Sequence, residues 1–60
     1  MKEVYLDSDG IHKYEVQKCS KGAEKVTCFE LIGNKWIQLG TECYDNSSLA
    51  ELLFGMTRIQ

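Results

Sequence analysis

The sequence predicts a small α+β domain, a four-stranded antiparallel β-meander with one C-terminal amphipathic helix packed on one face. Three observations predict it. Runs rich in β-branched and aromatic residues are separated by breaks bearing Gly, Ser, Asn and Asp. Proline is absent, so those residues must make every turn. Near the end, Leu49, Leu52, Leu53 and Met56 recur at helical spacing behind a capping signature. A chain of 60 residues leaves room for one domain, residues 1–60, with one core.

The first hairpin turns at Ser8-Asp9-Gly10. Val4 and Leu6 alternate with polar or aromatic neighbours before it, and Tyr14 and Val16 alternate with Lys13 and Glu15 after it. A three-residue loop with a left-handed Gly predicts strands over 2–7 and 11–19. That register sets Leu6 against His12 and Val4 against Tyr14. The next break, residues 20–24, is polar and too short for a helix, so it reads as a longer hairpin loop.

A third strand over 26–32 and a fourth over 35–39 flank Gly33-Asn34, the strongest turn signal in the chain. A two-residue turn pairs Leu31 with Trp36 and Phe29 with Gln38, and puts Ile37 and Leu39 on the face of Cys28. A three-residue loop aligns Phe29, Leu31, Ile37 and Leu39 instead. One residue of slip exchanges the faces, and both registers fit. Ser48 followed by Glu51 matches a capping box, so the helix is predicted over 48–55. Gly55 suits a left-handed helix end, which leaves residues 56–60 as a short extension or an edge strand, the alternative being a helix that continues to 59.

Apolar residues make up 43% of the chain and charged ones 27%, as in an ordinary folded domain. No apolar run approaches a membrane span. Lys2 and Glu3 open the chain with no apolar segment behind them, so a signal peptide is not expected and the cytoplasm is. The net charge is −2, and residues 36–57 contain no basic side chain. That balance argues against direct nucleic-acid binding.

No residue set carries catalysis. His12 is the only histidine and reads as a solvent-facing or sheet-edge residue. Asp7-Ser8-Asp9-Gly10 begins like a calcium loop, but the twelfth position is Lys18 where a bidentate Glu is needed. Cys19, Cys28 and Cys43 form no metal-ligand pattern and read as free, buried thiols in a reducing compartment, with a Cys19–Cys28 bridge as the alternative. Asn46-Ser47-Ser48 has the form of a glycosylation sequon but reads as a helix start. The LxxLL pattern of residues 49–53 reads as the core stripe of that helix. No catalytic residue, metal or cofactor is therefore expected.

Strands 3 and 4 carry apolar residues on both faces, while one helix covers only one. Tyr5 and Tyr44 can shield part of the excess. The remainder, Trp36, Ile37 and Leu39 rimmed by Glu30, Glu42 and Asp45, forms the predicted partner-binding surface. The leading expectation is a small stand-alone protein-binding module that inhibits a larger protein or nucleoprotein complex sterically, by covering a basic surface. Phage and mobile-element inhibitors of anti-CRISPR or anti-restriction type are the analogy, and host cytoplasm is then the setting. Two other readings compete. A nucleic-acid-binding sheet would use Lys13, Lys18, Lys21 and Lys25, and a structural accessory domain would dimerise through an edge strand.

Overall fold

A computed structural model describes residues 2–20 and 22–60. The chain runs β1 (Lys2–Leu6), β2 (His12–Ser20), β3 (Ala23–Ile32), β4 (Lys35–Asp45), α1 (Asn46–Leu53) and β5 (Thr57–Arg58). It forms one antiparallel five-stranded sheet in the order β4-β3-β2-β1-β5 with a short helix, an α+β arrangement. The fifth strand comes from the segment beyond the helix. Gly55, at φ +82°, reverses the chain after α1, and Thr57 and Arg58 then pair with Leu6 and Tyr5. Val4 extends that seam, donating its N–H to Gln60 and accepting from Ile59.

The first hairpin differs from its expected register by one residue. Leu6 pairs with Lys13, Tyr5 with Tyr14 and Val4 with Glu15. The cause is a longer loop held by Asp9, whose carboxylate accepts from the N–H groups of Ile11 and His12. Gly10 donates to the Asp7 carbonyl within the same turn. The slip puts Tyr5, Tyr14 and Val16 on one face and sends Val4 and Leu6 to the other. The second break is tighter than expected. Ser20 pairs with Ala23, Gly22 takes φ +73°, and the ladder has an irregularity between Lys18 and Ser20. Residue 21 lies outside the described residues.

The Gly33-Asn34 turn takes the two-residue form, with Gly33 at φ +65° and Leu31 paired with Trp36. Ile37 accordingly shares the face of Cys28. Leu39 is then an extra residue, because Phe29 pairs with Gln38 while Cys28 pairs with Gly40. This bulge bends β4, which continues to Asp45 rather than stopping at residue 39.

The helix also begins earlier than expected. Asp45 is the N-cap, and its side chain accepts from the Ser48 N–H at 2.8 Å. Asp and Ser are about equally good N-caps, and the peptide dipoles at a helix start add a preference for the negatively charged carboxylate. Leu49 turns onto the sheet and meets Val16 and Val26, with Tyr5, Tyr14, Tyr44, Leu52 and Leu53 around them. Tyr5 and Tyr44 therefore complete this core and do not shield the opposite face. The helix leaves the β4 edge, crosses the sheet and delivers the chain to the β1 edge.

Candidate functional site

The helix covers only part of its face, and a groove of about 190 Å³ lies beside it. Tyr14, Val26 and Cys28 form its floor, and Leu39, Gly40, Glu42 and Tyr44 line the β4 side. Two features of β4 create it. The bulge displaces Leu39, which remains 54% exposed. Gly40 offers no side chain opposite Cys28, and a Cβ built there would meet nothing within 4 Å. Burial, together with the neighbouring Cys28 thiol, pushes the Tyr14 hydroxyl up to about 12. It stays protonated at neutral pH and serves as a hydrogen-bonding group and apolar wall rather than an acid or base.

The groove opens beside an unpaired strand edge. Among the described residues β4 pairs with β3 alone, so its outer N–H and C=O groups face solvent over Lys35–Asp45. Large apolar side chains stand exposed here: Ile32, Ile37 and Leu39. Glu42, paired with Val26, adds a negative charge to the groove wall, and Glu30 pairs with Ile37 further along the same face.

The six residues expected to bind a partner do not form one surface. Leu39 and Glu42 line the groove, with Glu30 and Ile37 next to it on the same face. Asp45 is committed to capping α1, and its carboxyl is held below the usual range by the bonds from Ser48. Trp36 lies on the opposite face, where the Lys13 ammonium sits 4.8 Å from its ring centroid and 5.2 Å from that of Phe29. The lysine stem and charge thus cover the aromatic excess on that side. Sequence reasoning missed Tyr14, Cys28 and Gly40. The signal for Gly40 was present, since an isolated Gly inside a β-rich run marks a bulge or an open space.

Other groups can be placed as well. Lys18 shares the helix face while Lys13 and Lys25 share the other, so these three lysines do not make one basic stripe. Lys21, the fourth of that set, lies outside the described residues. His12 Nδ1 lies 2.6 Å from Asp9 Oδ2. The bond to Asp9 raises the His12 pKa and lowers that of Asp9. Asp7 is close enough to join them as ligands of a cation, yet Asp9 is already engaged by two backbone N–H groups of the turn. No helix among the described residues is long and apolar enough to cross a membrane. Comparison with known proteins finds no matching family model, no similar curated protein and no similar solved structure.

Proposed function

We propose that this chain is a protein-binding module that takes an extended segment of a larger protein along β4, and that it inhibits by occupying that segment. One observation carries the reading: a long open strand edge runs directly beside an apolar groove with a carboxylate on its wall. Strand addition draws affinity from main-chain hydrogen bonds and specificity from pockets that accept alternate side chains. Here the groove over Gly40 suits an apolar side chain, and Glu42 favours a basic neighbour. Such a segment matches the basic partner surface expected from the charge balance. The inhibitory role follows from blocking whatever contact the captured segment otherwise makes.

Gly40→Val and Glu42→Lys test this reading. Valine fills the groove and suits a strand, so the fold is retained. Affinity capture from a host lysate with wild-type protein should yield a partner that both variants lose, while their melting temperatures stay within a few degrees of wild type. If both variants capture the same partner undiminished, the groove is not the binding site. Pairing between two β4 edges is the competing use of this edge. Sedimentation at increasing concentration distinguishes it, since a dimer that Gly40→Val leaves intact would favour self-association.

A further inference from the structure

On the sheet face opposite the helix and the groove, two sulfur atoms lie close together. Cys19 Sγ and Cys43 Sγ are 3.2 Å apart, from residues 24 positions apart in sequence. They belong to β2 and β4, the two strands flanking β3. Cys19 falls where the β2–β3 ladder is irregular, between Lys18 and Ser20, so no regular pairing holds it in place. Cys43 pairs with Lys25 across the β3–β4 ladder. Both thiols are free but exposed rather than buried as expected, because they lie on the face the helix does not cover, while Cys28 is half-buried and faces the groove on the other side.

We propose that Cys19 and Cys43 form a dithiol site that a small-molecule disulfide of the glutathione type oxidises to an intramolecular disulfide. The thiolate of Cys19 attacks one sulfur of the reagent, forming a mixed disulfide and expelling one reagent thiolate. The thiolate of Cys43 then attacks Cys19 Sγ. The protein S–S bond forms, the mixed bond breaks, and a second reagent thiolate leaves. The protein loses two electrons and two protons, and one reagent disulfide becomes two thiols. Exposure admits the reagent, and the short sulfur separation lets the second step outrun release of the adduct. A sulfur–sulfur bond is about 2.05 Å long and spans Cα atoms no more than about 7 Å apart, so two residues facing each other across β3 can be joined only if the sulfurs close by roughly 1 Å and the backbone at Cys19 also moves toward β4. The ladder irregularity at Cys19 allows that movement. A tetrahedral zinc site is a poorer fit, because Cys28 lies on the other face and cannot add a third sulfur.

The experiment equilibrates the intact protein with mixtures of reduced and oxidised glutathione, then alkylates free thiols and maps peptides by mass spectrometry. As the oxidised fraction rises, the protein should lose about 2 Da, the two hydrogens of the exchange, and keep one alkylatable thiol, Cys28. Cys28→Ser should form the same bridge. Cys19→Ser and Cys43→Ser should each carry a stable glutathione adduct on the remaining exposed thiol. The oxidised protein should melt roughly 5–10 °C higher, because the link restrains the unfolded chain. Stable adducts on both Cys19 and Cys43 of the wild-type chain would overturn the proposal, as would a bridge through Cys28 or disulfide-linked dimers as the main product.

Discussion

Asp45 decides where strand becomes helix. Its carboxylate accepts from the Ser48 N–H, and that bond lowers its pKa in the folded state. A lowered folded pKa contributes stability that is present above the unfolded value, near 3.8, and lost as pH falls through the folded one. Asp45→Ala should lower the melting temperature at pH 7 by roughly 4–8 °C, whereas Ser48→Ala should change it little. The Asp45→Ala difference should shrink as the melts are repeated toward pH 3. Equal losses for the two variants would restore Ser48 as the cap. The sequence contains both candidates. Ser48 and Glu51 present the better-known pattern, but a cap is chosen by competition among neighbouring acceptors, and a pattern search does not weigh them. A similar competition moved the first hairpin. Asp9 holds two N–H groups and lengthens the loop, which composition alone does not reveal.

At the scale of elements, the strands, the Gly33-Asn34 turn and the helix stripe were legible because each rests on local periodicity. The strand pairing was less so, because register depends on a single residue of loop length and one bulge exchanges faces. The bulge at Leu39 and the gap over Gly40 together produce the groove, and neither is visible to a pattern of apolar spacing that ends at residue 39. Hence Leu39 and Glu42 were found as surface residues without the groove that joins them. The fifth strand depends on one backbone conformation. Gly55 takes φ +82°, with open space where a Cβ would lie, so any substitution acts through the backbone alone. Gly55→Ala should cost about 1 kcal/mol or more, measured by urea unfolding. Amide exchange at Val4 and Ile59, which bond across the β1–β5 seam, should quicken beyond the global loss. Unchanged exchange there would mean the seam forms without the turn.

Across the whole molecule, few side chains are held away from water. Val16, Val26 and Leu49 form the buried cluster, and Val16 is only 1% exposed. Much of the remaining apolar surface is half-covered by tyrosines and lysine stems. A fold of this size sits near the lower end of domain stability, so each core methyl group matters. Val16→Ala should cost about 2 kcal/mol and lower the melting temperature by roughly 10 °C or more. A loss of only a degree or two would place the stabilising contacts elsewhere. Any ligand that binds the folded chain alone would raise its apparent stability by mass action, and on so small a margin that shift is easily measured.

The two edges of the sheet are not equivalent, and this gives the molecule a valence. The segment after α1 closes β1 along Val4, Tyr5 and Leu6, while β4 remains free along its length. A sheet open at both sides can add strands without limit and grow into a fibre. Here the edge beyond β1 is only the two residues of β5, too short to template another strand, so strand addition is favoured at β4 alone. The short β5 contributes little to the core, yet by taking the place beside β1 it leaves β4 as the one long edge of the sheet.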